Sequence, residues 1–141
     1  MDRVPTKITI GLCLVTLIVL GYTGIEINGA IDHLHHSHWD RHANFHAVSG
    51  LLWLLTLFAV NEVLLWRFVR LGYSWAWWLV TFIGVGVFGG AVAGDPLTSG
   101  GLRHGDTALA TGEIAYWSGW ASLVGWIIGM VLAKPKVWKQ M

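Results

Sequence analysis

Four long apolar segments alternate with short polar ones along the chain. A membrane-spanning helix needs about 20 mostly apolar residues, and residues 8–27, 38–69, 75–92 and 111–133 provide four such segments. The apolar pattern of the first segment extends as far as Leu34, and the apolar body of the second is residues 47–66. We therefore predict an all-α fold, a four-helix transmembrane bundle that forms a single domain over residues 1–141.

The composition supports a protein that is embedded in a lipid bilayer. Hydrophobic residues make up 55% of the chain and charged residues 12%, whereas a soluble domain has about twice that charged fraction. The net charge of +1 gives no indication of nucleic-acid binding. The first apolar segment is long for the core of a signal peptide, and no A-x-A motif follows it, so we expect it to be retained as the first helix.

The basic residues predict how the bundle is oriented. Lys and Arg near helix ends accumulate on the cytoplasmic side of a membrane. Seven of them lie at the two termini and in the connection between the second and third helices: Arg3, Lys7, Arg67, Arg70, Lys134, Lys136 and Lys139. The other two connections hold only Arg41 and Arg103. We therefore predict that both termini are cytoplasmic, and that these two connections face the periplasm, the extracellular space or an organelle lumen.

All the histidines of the chain fall on that predicted non-cytoplasmic face. They are His33, His35, His36, His38, His42, His46 and His104. Side chains four residues apart share one face of a helix, so His42 and His46 can hold one metal ion. We predict these two as metal ligands, with His38, His35 and His104 as further candidates. Imidazole combined with carboxylate, and without thiolate, suits iron, zinc, copper or manganese.

Two carboxylates near the histidines are candidate catalytic residues. Glu26 falls where the first helix is still inside the membrane or barely leaving it, and a carboxylate there is costly and therefore indicates function. Asp32 lies beside the histidine-rich segment. We interpret either residue as a metal ligand or a general base. Glu62, near the other end of the second helix, is interpreted as an interfacial charge without a catalytic role.

The segment DHLHHSHWDRHANFH, residues 32–46, resembles a family of small four-helix membrane proteins from bacteria and fungi, catalogued as a domain of unknown function. The family signature is an Asp, then a His, then W-x-x-H-A-x-F-H at the start of the second helix. The positions that match this last motif are Trp39, His42, Ala43, Phe45 and His46. Asp40 and Arg41 stand where the family usually has prolines. The resemblance implies a shared polar site on Asp32, His42 and His46 and no particular reaction.

Glycines in the last two predicted helices recur every fourth residue. They are Gly86, Gly90 and Gly94 in the third helix, and Gly125 and Gly129 in the fourth. Small residues at this spacing let membrane helices approach closely. We therefore expect the third helix to pack tightly through its glycines.

Three functions remain open at this point. The one we favour is a metal-dependent membrane enzyme that acts on a lipophilic small molecule. The first alternative is a metal-free isomerase or cyclase, in which Glu26, Asp32 and a histidine transfer protons. The second is a non-catalytic accessory subunit of a larger membrane complex; assembly as a homo-oligomer is open as well.

Overall fold

Four helices make up most of the residues that the structure describes. The computed structural model describes residues 4–35, 41–97 and 109–139, and at residues 32, 33, 35, 42, 43, 94–97 and 109–115 it describes the backbone only. The helices are α1 (Thr6–His35), α2 (Arg41–Leu64), α3 (Ser74–Leu97) and α4 (Leu109–Ala133). α2 continues into one π-helical turn, Leu65–Val69.

Each helix contains a segment that is long and apolar enough to cross a membrane. These segments are Thr6–Ile31, Asn44–Val69, Ser74–Ala93 and Tyr116–Ala133. The predicted four-helix transmembrane bundle is therefore confirmed. α1 is longer than residues 8–27, because Gly24 and Glu26 do not interrupt it and it continues to His35.

The helices form a four-cornered bundle. α1 packs most extensively against α4, α3 packs against the other side of α4, and α2 contacts α1 and α3. α2 and α4 therefore occupy opposite corners. We call the end where α1 begins and α4 ends the terminal end, and the end where α1 finishes and α2 begins the histidine end.

Close helix contacts use glycine, but only some of the glycines that the sequence indicated. A Cβ on Gly125 or Gly129 of α4 would meet side chains of α1, so these two helices pack closely there. The expectation that the third helix packs tightly through its glycines is wrong for Gly86 and Gly90, because a Cβ on either would meet nothing within 4 Å. On α3 the close contact is made by Gly84, whose missing Cβ leaves room for the Trp126 ring.

The chain after α4 folds back across the terminal end. The Lys139 backbone N–H donates to the Gly72 carbonyl at 2.9 Å, and Gly72 has a φ of 91°, which favours glycine. The Trp138 ring lies 5.9 Å from the Trp77 ring, and the Lys134 ammonium lies 5.8 Å from the same ring. These contacts hold the last described residues against the connection between α2 and α3.

Candidate functional site

The predicted metal ligands lie on two adjacent helix ends. α1 is a continuous helix through Asp32 to His35, and α2 is helical from Arg41 onward. His42 and His46 therefore occupy successive turns of one regular helix. This is the backbone arrangement that the spacing of four residues requires if both imidazoles are to share a metal ion.

Two contacts fix the register of the antiparallel helices α1 and α2. The Thr16 hydroxyl donates to the Glu62 carboxylate at 2.7 Å, and the Tyr22 ring packs on the Phe58 ring with centroids 6.4 Å apart. Each step along α1 toward the histidine end is matched by a step backward along α2. Counting residues along both helices from these two contacts places His46 at the level of the last turn of α1.

That register separates the two candidate carboxylates by depth. Asp32 and His35 belong to the last turns of α1, so their backbone is near the level of His46, and His42 lies one turn farther out. Glu26 lies about two turns deeper in the membrane, or about 11 Å along the axis. The register thus puts the backbone of Asp32 near the level of His46 and leaves Glu26 below it.

Most imidazoles of the chain fall outside what the structure describes. His36, His38 and His104 are outside the described residues, and the side chains of His33, His35 and His42 are not described. The His46 side chain is exposed, and its ring lies 5.6 Å from that of Phe45. Among the described side chains, no group of three or more His, Cys, Asp or Glu residues comes together. The ligand set therefore stays a prediction.

Glu26 borders a cluster of aromatic side chains. It is half-buried within the apolar span of α1, one helical turn from Tyr22 and close enough to interact with the Tyr22 hydroxyl. Tyr22 is 6% exposed and makes edge contacts with Phe58 and with Phe88, the latter at 5.0 Å. Sequence reasoning missed Tyr22, although its position four residues before Glu26 on a helix was the signal that could have found it.

A second polar group joins α1 to α2 nearer the terminal end. The Trp66 indole N–H lies 2.9 Å from the Thr16 hydroxyl oxygen and 3.1 Å from Glu62 Oε2, which also accepts the Thr16 hydroxyl. The other carboxylate oxygen, Oε1, is buried and has no hydrogen-bond partner. Glu62 is therefore a hydrogen-bonded residue inside an apolar span and not simply a charge at the membrane surface.

The aromatic residues of α4 near the histidine end face outward. Trp117 is 63% exposed and Trp120 is 40% exposed, and the Tyr116 and Trp117 rings lie 5.2 Å apart. Exposed tryptophans near the end of a membrane helix are typical of an interfacial belt. Trp117 and Trp120 are therefore belt residues and not part of the bundle interior.

A shallow apolar groove runs along the outer face of α2. It has a volume of about 290 Å³ and is lined by Ala59, Val60, Val63 and Leu64. Since none of these side chains carries a polar group, the groove has nothing with which to orient a reacting molecule. It is suited to an acyl chain of the surrounding bilayer.

Comparison with known proteins identified no relative of this chain. No protein-family model, no curated protein and no solved structure matches this chain. Its assignment as an integral, multi-pass membrane protein with a four-helix bundle therefore follows from its own helices.

Proposed function

We propose that this protein is a metal-dependent membrane enzyme whose site lies at the histidine end and whose substrate is lipophilic. One observation carries the proposal: the register of α1 and α2 brings the backbone of Asp32 and His35 near the level of His46. Three residues of types that bind transition metals, one Asp and two His, thus belong to adjacent helix ends. The motif resemblance over residues 32–46 points to the same positions.

The residues of the proposed site have distinct roles. His42 and His46 hold the metal from one face of α2, and Asp32 supplies a carboxylate from α1. His35, His38 and His104 are the candidates for the remaining positions. The metal, one of iron, zinc, copper or manganese, supplies Lewis-acid or redox chemistry when it is bound.

Glu26 has a different role in this proposal because of its depth. At about 11 Å below the level of His46, its carboxylate is too far into the bundle to share an ion with that imidazole. It can instead accept a proton from a lipophilic substrate that enters from the bilayer, and later return a proton to it. Tyr22, one helical turn away on the same helix, lies beside this carboxylate.

Elemental analysis of the intact protein, purified gently in detergent, tests the metal site. We expect close to one transition-metal ion per chain. His42→Ala and His46→Ala should each lose most of the metal, because one ligand remains on α2 where two are needed, while circular dichroism still reports the helical bundle. His36→Ala is the matched control, since it removes an imidazole from the same segment without touching the proposed ligand set.

Two results would contradict the proposal. One is a metal content near zero in the wild-type protein. The other is an equal loss of metal from His36→Ala and His42→Ala, which would indicate loose binding by the whole segment.

A second candidate function is metal-free acid–base catalysis, an isomerase or cyclase reaction. The observation that favours it is the position of the half-buried Glu26 beside Tyr22, at the edge of an aromatic cluster. Mass spectrometry of the lipophilic molecules that co-purify with wild type and with Glu26→Gln tests it. A metal-free wild type that retains a compound which Glu26→Gln loses would favour this function, and identical extracts would count against it.

A further inference from the structure

One amide lies wholly inside the bundle without a hydrogen bond. Asn61 on α2 is 0% exposed, and neither its Oδ1 nor its Nδ2 atom has a partner. It belongs to the apolar span Asn44–Val69, eight residues before the end of that span. Buried polar groups in proteins are almost always hydrogen-bonded, and an unpaired one requires an explanation such as a bound water or ligand.

A second unpaired group belongs to the helix at the opposite corner. Trp126 on α4 is 0% exposed, and its indole Nε1 is buried without a hydrogen-bond partner. The indole ring covers Gly84 of α3 and packs on Phe88 at 5.3 Å. Its N–H is therefore inside the bundle, where no lipid headgroup reaches it.

The packing places both groups at the same depth. The Phe58 ring of α2 stacks on the Phe88 ring of α3 with centroids 6.1 Å apart. One turn from this pair toward the terminal end brings α2 to Asn61 and α3 to Gly84, against which the Trp126 indole lies. Asn61 and Trp126 are thus two buried side chains at one level of the bundle, on helices at opposite corners.

The hydrogen-bonding capacity of the two side chains defines what they can hold. Asn61 Nδ2 and Trp126 Nε1 are donors, and Asn61 Oδ1 is an acceptor. A hydroxyl oxygen can accept from both N–H groups and donate its hydrogen to Oδ1. A carbonyl oxygen has no hydrogen to donate, a cation is repelled by the two donors, and an anion is repelled by Oδ1.

We propose that Asn61 and Trp126 bind one uncharged hydroxyl group in the middle of the membrane, from a resident water molecule or from a lipophilic alcohol. Along α2 this site is about 22 Å from His46, so it is separate from the proposed metal site. It does not depend on that proposal being correct.

Nuclear magnetic resonance of the intact protein, with ¹⁵N-labelled tryptophan indoles in deuterated detergent, tests the site directly. Trp126→Phe identifies the Trp126 Nε1–H signal by its disappearance. We expect that signal to show a cross peak to water if water is bound. If an alcohol is bound, mass spectrometry of the extracted protein should find it in wild type and not in Asn61→Leu.

A double-mutant cycle supplies an independent readout. If one hydroxyl bridges the two side chains, Asn61→Leu and Trp126→Phe should each lower the midpoint of thermal unfolding, and together they should lower it by less than the sum. Asn61→Leu combined with Trp53→Phe is the matched control, because Trp53 is exposed and shares no partner with Asn61, so those effects should add.

The proposal is overturned if the Trp126 indole shows no cross peak to water and no alcohol is extracted. It is also overturned if Asn61→Leu raises the unfolding midpoint and its effect adds to that of Trp126→Phe. Removing an amide that has no partner should stabilise the bundle, whereas removing one that holds a ligand should not.

Discussion

At the scale of single residues, the polar side chains inside the membrane connect helices. Glu62 is held by Thr16 from another helix and by Trp66 from its own. A carboxylate within an apolar span is costly unless such partners accompany it. Local residue spacing could not have predicted the contact between Glu62 and Thr16, because the two residues are 46 positions apart in the sequence.

Removing the Thr16 hydroxyl should weaken the bundle. Thr16→Val preserves the shape of the side chain but leaves Glu62 without its interhelical donor, so we expect the free energy of unfolding to fall by about 0.6–1.7 kcal/mol. Denaturation in mixed detergent micelles measures it. The control is Thr56→Val, whose hydroxyl bonds to the Leu52 carbonyl of its own helix. Equal effects of both substitutions would show that the contact with Glu62 contributes nothing.

At the scale of helices, the closest contacts form where a glycine of one helix meets the backbone of its neighbour. A Cβ on Gly11 of α1 would lie 2.5 Å from the Gly129 carbonyl oxygen and 2.5 Å from the Ala133 nitrogen of α4. Since both atoms belong to backbone, they cannot move aside as a flexible side chain can. The close approach of α1 and α4 therefore depends on glycine at this position.

Adding one methyl group at this interface should separate the helices. Gly11→Ala should destabilise the bundle by about 1–3 kcal/mol, the range typical of overpacking. Gly21→Ala on the same helix is the control, because a Cβ there meets nothing within 4 Å. Its effect should be neutral or slightly stabilising, since alanine favours helix more than glycine does. Denaturation in mixed micelles compares the two, and similar losses would contradict this account of the α1–α4 contact.

At the scale of the whole molecule, the cations gather at one end. All the basic residues described at the terminal end are exposed: Lys7, Arg67, Arg70, Lys134, Lys136 and Lys139. The folded-back chain after α4 adds its three lysines to the arginines of the α2–α3 connection. This asymmetry is the basis on which we predict that the terminal end is cytoplasmic and the histidine end faces the other side.

Cysteine labelling in cells tests that orientation. In a Cys13→Ser background, we expect Val137→Cys to react with a membrane-impermeant maleimide in inside-out vesicles only, because Val137 is 80% exposed at the terminal end. Ser37→Cys should react in intact cells only, since the connection between α1 and α2 then lies outside. The reverse pattern would show that the histidines face the cytoplasm.

The sequence alone determined the number of membrane helices, because about 20 consecutive apolar residues leave few other stable structures in a bilayer. It also placed His42 and His46 one helical turn apart, since that depends only on local spacing. Tertiary structure decided the rest. Whether Gly84 or Gly86 packs closely, whether Glu62 meets Thr16, and where Asn61 lies relative to Trp126 all depend on how the helices rotate and slide against one another. Apolar patterns are nearly uniform around a membrane helix and do not encode that choice.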